Sequence, residues 1–399
     1  MIVEPKVRGF ICTTAHPIGC YQSVKSQIDY VKSRSWIQNG PKNVLIIGAS
    51  TGYGLASRIV ATYASGAKTI GVSFEKPASD KRTATAGWYN TAAFERMALQ
   101  DGYYAKSING DAFSDEIKKK TIELIRADLR SVDLIIYSLA SPRRTHPKTG
   151  EVFNSTLKPI GTTYKNKTVD PLTGTVTEIS IEPADQKEID DTIAVMGGED
   201  WVMWLDLLQK ENLLSDKAIT FAYSYIGPEL THAIYKNGTI GKAKDDLLKT
   251  AKQLNEKLKH IQGHAFVSVN KALVTQASSA IPVVPLYMSI LFKIMKEKGT
   301  HEGCIEQIYR LMNELVYDDQ AIPIDKEQRI RIDDLEMQPD VQQLISTIWS
   351  TISTDNIHDL SDLAGYKKDF YKLFGFEIDG VNYKEDVDIQ VHIPSIENE

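Results

Sequence analysis

Short apolar runs alternate with amphipathic stretches through the first half of the chain. Residues 44–47 form a continuous apolar run, the pattern of a parallel strand buried on both faces. A glycine-rich turn follows, then a helical stretch near residues 55–64 and a second strand over residues 69–74. These segments predict a β-α-β unit, the building block of a parallel sheet.

The same alternation continues along the chain. Further helices are predicted near residues 92–100, 115–127 and 244–261, and further strands near residues 104–108, 134–138, 218–225 and 265–269. Strands that alternate with helices in this way predict the α/β class, with a doubly wound parallel sheet.

Three additions to this sheet are predicted within one large domain of residues 1–399. Residues 1–40 hold a strand-like stretch and an amphipathic helix. Residues 141–200 are polar and rich in Thr, Lys and Pro, and the alternation over residues 175–181 favours a small mid-chain hairpin. Residues 300–399 hold helices with scattered aromatic side chains, so a helical C-terminal extension is expected.

Composition and charge exclude several classes of protein. Apolar residues make up 42% and charged residues 25% of the 399 residues, which excludes wholesale disorder. The net charge of −6 disfavours nucleic acid as a partner. The three cysteines form no CxxC motif, and no apolar stretch has the length of a membrane span. We therefore expect a cytoplasmic protein without a metal site or stable membrane association.

The turn after the first strand of the β-α-β unit is the most informative local motif. It reads GASTGYG over residues 48–54, a GxxxGxG spacing rather than GxGxxG. Glycines let a backbone approach a pyrophosphate, and the N-terminus of the next helix supplies unpaired N–H groups. Its place between a strand and a helix favours dinucleotide binding over a tight turn without a ligand. The candidate cofactor-binding residues in this turn are Gly48, Ala49, Ser50, Thr51, Gly52 and Tyr53.

Glu75 follows the second strand of this unit and bears on the choice of cofactor. A carboxylate at this position accepts hydrogen bonds from the adenine ribose hydroxyls and repels a 2′-phosphate, which favours NADH over NADPH. The alternative is that Glu75 is an ordinary exposed acid. Lys76 and Arg82 lie close in sequence, and their positive charges could weaken the preference for NADH over NADPH. Asp111 with Ala112, and Leu139 with Ala140, also follow strands, where open α/β sheets bind ligands.

A tyrosine and a lysine beyond residues 218–225 are candidate catalytic groups. An enzyme that reduces a carbonyl or a conjugated alkene needs a donor at the developing oxyanion, and a nearby ammonium stabilises a phenolate. Tyr235 and Lys244 are nine steps apart, or about 900° of helix, which puts them on opposite faces of a regular helix. We therefore predict a backbone break at Gly238 and Gly241, with Lys244 opening the next helix. Lys242 remains an alternative partner for Tyr235.

Two local patterns are assigned no chemistry. His260 and His264 have i, i+4 spacing but form no HExxH motif, which disfavours a metal site. The lysine run at residues 118–120 falls on a predicted helix and is interpreted as a solvated face.

Over essentially its whole length the sequence resembles the FabV-type trans-2-enoyl-ACP reductases and the related trans-2-enoyl-CoA reductases. The segments that carry the resemblance are VRGFI at 7–11, GASTGYG at 48–54, TAGWYN at 85–90, YSLASPRR at 137–144, MGGEDW at 196–201, AYSYIG at 222–227 and FVSVNKALVT at 266–275. The eight residues between Tyr235 and Lys244 distinguish this group from short-chain reductases, whose gaps are shorter.

The resemblance implies a Rossmann-like, short-chain-reductase-related fold and a monomer. It implies NADH-dependent reduction of the 2,3 double bond of enoyl-ACP or enoyl-CoA, the last step of the bacterial fatty-acid elongation cycle. By resemblance, Tyr235 is the proton donor, Tyr225 a substrate contact and Lys244 a contact to the nicotinamide nucleotide. The residues implied to line NAD are 48–53, Phe74, Glu75, Asp111, Ala112, Leu139, Ala140, Leu273, Val274 and Thr275.

Two other functions stay open from the residues alone. A 3-oxoacyl thioester reductase would carry a serine near the nicotinamide and a tyrosine and lysine four steps apart, a spacing absent around Tyr235. A non-catalytic NAD-binding sensor would keep the glycine-rich turn and would need neither Tyr235 nor Lys244.

Two features bear on the substrate without identifying it. The apolar stretch at residues 281–294 is either a wall for the acyl chain or a core helix. An acidic acyl carrier protein would need a basic patch near the entrance, for which Arg143, Arg144 and Lys148 are candidates.

Overall fold

The structure, a computed structural model, describes residues 1–9 and 11–396. Phe10, within the N-terminal segment that carries part of the resemblance, lies outside the described residues, as do residues 397–399. The strands are β1 (Val7–Arg8), β2 (Ile11–Cys12), β3 (Asn43–Ile47), β4 (Lys68–Ser73), β5 (Ala105–Asn109), β6 (Val132–Tyr137), β7 (Arg143–Thr145), β8 (Val152–Asn154), β9 (Tyr164–Val169), β10 (Val176–Ile181), β11 (Leu214–Ser224), β12 (His264–Val269) and β13 (Arg329–Arg331).

The helices lie between these strands and in the C-terminal part of the chain. They are α1 (Pro17–Lys32), α2 (Gly52–Ser65), α3 (Ala86–Gln100), α4 (Asp115–Leu124), α5 (Gln186–Met196), α6 (Glu199–Lys210), α7 (Glu229–His232), α8 (Thr239–Leu258), α9 (Val284–Glu297), α10 (Cys304–Arg310), α11 (Pro339–Thr351), α12 (Ile357–Leu360) and α13 (Leu363–Lys372). Helices α4 and α10 each continue into a turn of π-helix, over Ile125–Leu129 and Leu311–Val316.

Seven strands form one parallel sheet in the order β13-β12-β11-β6-β3-β4-β5. The chain builds outward from β3, first through β4 and β5 and then through β6 and β11 on the other side. Apolar side chains pack on both faces of the sheet, in two separate buried clusters. The predicted doubly wound parallel sheet is therefore confirmed, with the reversal of strand order between β3 and β6, where such folds bind ligands.

The three central strands end together because their registers agree. Ile47 of β3 lies opposite Val72 of β4 and Tyr137 of β6. The residues that follow these strands therefore meet at one edge of the sheet, which places the glycine-rich turn beside the segments after β4 and β6.

The additions to the sheet have more strands than the sequence indicated. Strands β1 and β2 pair antiparallel, and β9 and β10 form the hairpin expected within residues 141–200. A second short ladder, β7 with β8, precedes this hairpin. Residues 300–399 were expected to be helical, but β13 adds an edge strand to the main sheet beside β12.

The interpretation of residues 118–120 as a solvated face is wrong for Lys118. This side chain is only 2% exposed, and its ammonium lies 2.7 Å from the Asp200 carboxylate on α6. It also donates to the carbonyls of Ala112 and Phe113, just beyond β5. Lys118 therefore ties α4 and α6 to a segment at the ligand-binding edge of the sheet.

Two features are absent from the described residues, 1–9 and 11–396. None of their helices is both long enough and apolar enough to cross a lipid bilayer. No group of three or more His, Cys, Asp or Glu side chains in the same residues is arranged to hold a metal ion.

A buried ion pair between α2 and α3 gives a prediction about stability. Arg58 and Glu95 are both 0% exposed, with 3.8 Å between the guanidinium and the carboxylate. Glu95→Gln is expected to lower the free energy of unfolding by about 3–5 kcal/mol, because it leaves the arginine charge buried and uncompensated. Urea-induced unfolding measures this change.

Glu123→Gln is the matched control for this variant. Glu123 pairs with Lys119 at 3.9 Å on the exposed face of α4. Such pairs contribute about 0.5 kcal/mol or less, so this variant should unfold close to wild type. Equal losses in the two variants would contradict the assigned role of the Arg58–Glu95 pair.

Candidate active site

The glycine-rich turn forms a close backbone junction at the carboxyl end of β3. Gly48 has a positive φ of 90°, and a Cβ on it would lie 2.2 Å from the carbonyl oxygen of Ser138. A Cβ on Gly54, in the first turn of α2, would lie 1.8 Å from the carbonyl oxygen of Gly48. Only glycine allows these approaches, so the strand end, the helix start and the end of β6 meet through backbone alone.

The N-terminus of α2 is left open for an anion. Thr51 is the N-cap residue, and its side chain makes no capping hydrogen bond to the first turn. That first turn also carries no acidic residue. The unpaired N–H groups and the positive end of the helix dipole can therefore bind the pyrophosphate of a dinucleotide.

Glu75 is held at the end of β4 by hydroxyl and amide groups. Its carboxylate accepts a hydrogen bond from Ser50 at 2.6 Å and a second one from Thr85. The backbone of Glu75 exchanges two hydrogen bonds with the side chain of Asn109, at the end of β5. The adjacent Phe74 is 73% exposed and offers a free aromatic face. Sequence reasoning missed the contributions of Thr85 and Asn109.

Two further predicted cofactor segments contact the turn. A Cβ added to Gly48 would lie 3.3 Å from the backbone nitrogen of Leu139. A Cβ added to Gly52 would lie 3.7 Å from the methyl group of Thr275. Ala140 follows Leu139 and is exposed at the same edge. The structure therefore brings together the ends of β3 and β6 with the loop after β12.

The remaining predicted cofactor residues lie in neighbouring loops. Asp111 and Ala112 follow β5, and the Asp111 carboxylate accepts a hydrogen bond from the Phe113 N–H at 3.0 Å. Leu273 and Val274 precede Thr275 and are mostly buried. No described contact joins Asp111 to the glycine-rich turn, so its predicted role stays a prediction.

The predicted backbone break between Tyr235 and Lys244 is confirmed at Gly238, whereas Gly241, the second glycine expected to form it, lies inside α8. Helix α7 ends at His232, residues 233–238 form turns, and α8 begins at Thr239. Tyr235 lies within the turns, while Lys244 lies in the second turn of α8 rather than at its first residue. One continuous helix would place Tyr235 and Lys244 on opposite faces, and the break removes that restriction.

Burial changes the acid–base properties of both groups. It lowers the pKa of Lys244 to about 8, and the ammonium donates to the carbonyl of Tyr223 at 3.2 Å. It raises the pKa of Tyr235, so this phenol stays protonated at neutral pH. Among the described residues, no hydrogen bond joins Tyr235 to Lys244. The alternative, Lys242, is exposed and lies 3.8 Å from Asp245, so Lys244, which is half-buried, is the lysine that faces the site.

Tyr225 links the two candidates. Its ring packs edge to face against that of Tyr235, with 4.9 Å between ring centroids. Tyr225 and Lys244 also line one cavity of about 140 Å³, together with Lys236 and Arg329. The structure thus gathers Tyr225, Tyr235 and Lys244 at the carboxyl end of β11, next to the loop that carries Thr275.

A buried carboxylate that sequence reasoning missed lies behind Tyr225. Glu336 accepts hydrogen bonds from the Tyr225 hydroxyl at 3.0 Å, the Tyr287 hydroxyl at 2.6 Å and the Ala272 N–H at 2.7 Å. It lies 111 positions after Tyr225 and carries no recognisable motif, so no local signal could have found it.

The structure bears on the two features that the sequence suggested for substrate binding, the apolar stretch at residues 281–294 and the basic patch. Helix α9 covers most of the apolar stretch and packs in the same core as Tyr225 and Tyr235, which favours the core-helix interpretation. Arg144 is wrong as a candidate for a basic surface patch, because it is 1% exposed and pairs with Glu199 at 2.7 Å. Arg143 and Lys148 are exposed.

The site combines a glycine-rich cradle on a parallel sheet, a carboxylate after β4 and a phenol near a half-buried lysine. These features define a Rossmann-type nicotinamide-dependent reductase. The chain matches the family described as "NAD(P)H binding domain of trans-2-enoyl-CoA reductase" over residues 2–80. It matches "Trans-2-enoyl-CoA reductase catalytic region" over residues 82–317 and "Enoyl reductase FAD binding domain" over residues 324–387. The chain belongs to the trans-2-enoyl-CoA reductase family.

Individual relatives agree with this assignment. An enoyl-[acyl-carrier-protein] reductase [NADH] of Coxiella burnetii is 64% identical over 398 residues, covering 99% of this chain and 98% of the relative. A trans-2-enoyl-CoA reductase [NADH] of Ruminiclostridium cellulolyticum is 59% identical over 396 residues, covering 99% and 100%. The crystal structure of Treponema denticola trans-2-enoyl-CoA reductase in complex with NAD matches with a TM-score of 0.94 and 52% identity, over 100% of both chains.

The third family description names a flavin, which residues 324–387 do not fit. The large aromatic side chains of this segment, such as Tyr366, Phe370 and Phe374, are buried in the core of the fold. After β13 the chain runs into Asp333 and the buried Glu336, with no glycine-rich turn that opens a helix. The cradle for a dinucleotide lies at β3 instead.

The position of Glu75 gives a prediction about cofactor choice. Glu75→Ala is expected to raise the ratio of kcat/KM for NADPH to that for NADH by about tenfold or more, because it removes a negative charge beside the 2′ position. Steady-state kinetics with both cofactors measures the ratio.

Asp80→Ala is the control for this variant, since Asp80 is an exposed acid five positions further on. It should leave the preference unchanged. An unchanged ratio in Glu75→Ala would remove Glu75 from its predicted role.

The lowered pKa of Lys244 gives a prediction about pH. Above pH about 8 the side chain loses its positive charge. The resemblance implies that this ammonium contacts the nicotinamide nucleotide, so its loss should weaken binding. The Kd for NADH should rise between pH 8 and 10, by up to about tenfold per pH unit. Lys244→Arg should abolish this rise, because a guanidinium stays charged in that range. Titration of NADH fluorescence against pH measures both.

Lys271 is the control, because burial lowers its pKa to about 8 as well. Lys271→Arg should keep the pH dependence of NADH binding. If the rise persists in Lys244→Arg and disappears in Lys271→Arg, the assignment to Lys244 is wrong.

Proposed function

We infer that this chain is an NADH-dependent reductase of enoyl thioesters, which saturates the 2,3 double bond of a trans-2-enoyl group. Membership of the trans-2-enoyl-CoA reductase family supports this function, as do the NADH-dependent relatives. The observation that carries it in the structure is the grouping of Tyr225, Tyr235 and Lys244 at the edge of the sheet where the glycine-rich cradle lies.

The cofactor-binding roles are proposed as follows. The cradle binds the pyrophosphate at the start of α2, and Glu75 accepts hydrogen bonds from the adenine ribose. Phe74 provides an exposed aromatic face for the adenine. Lys244 contacts the nicotinamide nucleotide from α8. The other residues proposed to line NAD are Asp111, Ala112, Leu139, Ala140, Leu273, Val274 and Thr275.

The chemistry needs a hydride and a proton. When bound, NADH supplies the hydride that adds to the β-carbon of the double bond. Negative charge then develops on the thioester carbonyl oxygen of the substrate. Tyr235 is proposed as the proton donor, because burial keeps its phenol protonated and its hydroxyl has no described partner. Tyr225 is proposed as the substrate contact, and the product carries the added proton on the α-carbon.

Carrier, assembly and location complete the proposal. Acyl carrier protein and coenzyme A are both proposed as carriers of the acyl group. The exposed cations Arg143 and Lys148 are proposed to bind the acidic acyl carrier protein. A monomer is proposed from the resemblance to the family. A cytoplasmic location is proposed because all three cysteines are free thiols.

One assay separates the three candidate functions. NADH absorbance is followed with crotonyl-CoA, crotonyl-ACP and acetoacetyl-CoA. Turnover of the crotonyl thioesters is expected, and Tyr235→Phe should lower kcat by about a hundredfold or more while NADH still binds. Tyr21→Phe, an exposed tyrosine on α1, is the control and should match wild type.

The other outcomes identify the alternatives. Oxidation of NADH with acetoacetyl-CoA alone would make the protein a 3-oxoacyl thioester reductase. NADH binding without turnover of any of the three substrates would favour the non-catalytic sensor. Full activity of Tyr235→Phe would leave the reductase function in place but remove Tyr235 as the donor.

A further inference from the structure

Glu336 is a fully buried carboxylate that the proposed chemistry leaves without a role. Its side chain is 0% exposed. Atom Oε1 accepts from the hydroxyls of Tyr225 and Tyr287, and Oε2 accepts from the Ala272 N–H. A buried carboxylate is costly unless its oxygens are satisfied, and here three donors satisfy them.

The three donors come from segments that border the site. Tyr225 follows β11, and its ring packs against Tyr235. Ala272 directly precedes Leu273, the first residue of the proposed cofactor loop. Tyr287 belongs to α9, which forms part of the same core. One carboxylate therefore ties together the substrate tyrosine, the cofactor loop and the core helix.

A buried cation accompanies this carboxylate. Lys271 is almost fully buried, donates to the Ala272 carbonyl at 3.1 Å and lies 4.7 Å from the ring centroid of Phe292. Burial raises the pKa of Glu336 above its ordinary value, and the positive charge of Lys271 and the hydrogen bonds from Tyr287 and Ala272 act against that rise. Three donated hydrogen bonds and the nearby ammonium favour the ionised carboxylate.

The direction of the hydrogen bond from Tyr225 has a chemical consequence. A phenol carries one O–H proton, and Tyr225 donates that proton to Glu336. While the bond stands, the Tyr225 hydroxyl has no proton to donate to the thioester carbonyl, so its proposed contact with the substrate is made by packing. Among the described residues, no hydrogen bond occupies the Tyr235 hydroxyl, so its proton is free to be donated.

We propose that Glu336 is a positioning residue for the reduction: it holds Tyr225 against Tyr235 and so leaves proton delivery to Tyr235 alone. This inference rests on the proposed function. Glu336 touches neither substrate nor cofactor, and it acts through the fixed position of the Tyr225 ring.

A double-mutant cycle tests the proposal with crotonyl-CoA and NADH. Glu336→Gln removes the charge and one acceptor oxygen, and kcat should fall by about 10- to 100-fold, the value of a hydrogen bond to a charged group. The loss should appear in kcat more than in KM, because positioning acts on the reacting geometry. In a Tyr225→Phe background, Glu336→Gln should cost less than about threefold, because the bond it breaks is already absent.

Asp333→Asn is the matched control. Asp333 lies three positions before Glu336, is equally buried and pairs with Arg331 at 2.6 Å. This variant should keep kcat within about twofold of wild type even where it lowers the melting temperature, because Asp333 acts on Glu336 only through its charge and its side chain accepts hydrogen bonds from Arg331, with none described from Tyr225.

Two results would overturn the proposal: wild-type kcat in Glu336→Gln, or an equal loss of kcat in the wild-type and Tyr225→Phe backgrounds. If Glu336→Gln does not fold, Glu336→Asp replaces it, since this variant keeps the negative charge beside Lys271 but shortens the reach to Tyr225. It must show the same coupling to Tyr225→Phe. Absence of turnover in the wild-type enzyme would instead refute the proposed function.

Discussion

Backbone contact at the end of β3 is the constraint on which the rest of the site depends. Gly48 touches the segment after β6, and Gly54 brings the start of α2 onto Gly48 itself. A side chain at either glycine would push the helix away from the sheet and move its N-terminus. The register of the central strands then fixes where Glu75 and Leu139 stand relative to that helix end.

The chemical half of the site depends on contacts between residues far apart in sequence. Tyr225 and Tyr235 come from the end of β11 and the turns before α8, yet the groups that hold Tyr225 come from the C-terminal third of the chain. Glu336 and Lys271 are both buried charges, so each is stable only while the other elements stay packed around them. The C-terminal segment therefore holds part of the candidate site in place and is more than a cover for the sheet.

Local patterns in the sequence predicted most of the fold and the cofactor cradle. The apolar run of β3, its glycines and the break at Gly238 are each visible within a few residues. The burial of Lys118 and Arg144 was not visible, because their partners Asp200 and Glu199 lie far along the chain and lysines or arginines on their own resemble a solvated surface. Strand β13 was missed although Arg329, Ile330 and Arg331 alternate polar and apolar residues, because a run of three residues is too short to predict a strand without its pairing to β12.

The late arrival of β13 has a consequence for the newly synthesised chain. About sixty residues separate Val269, the end of β12, from Arg329, the start of β13. At roughly 5–20 residues per second, a ribosome needs several seconds to add them. During that interval the unpaired N–H and C=O groups of β12 are open to pairing with another nascent chain. Pairing with β13 ends this exposure at Val267, Ser268 and Val269, the three residues of β12 that it covers.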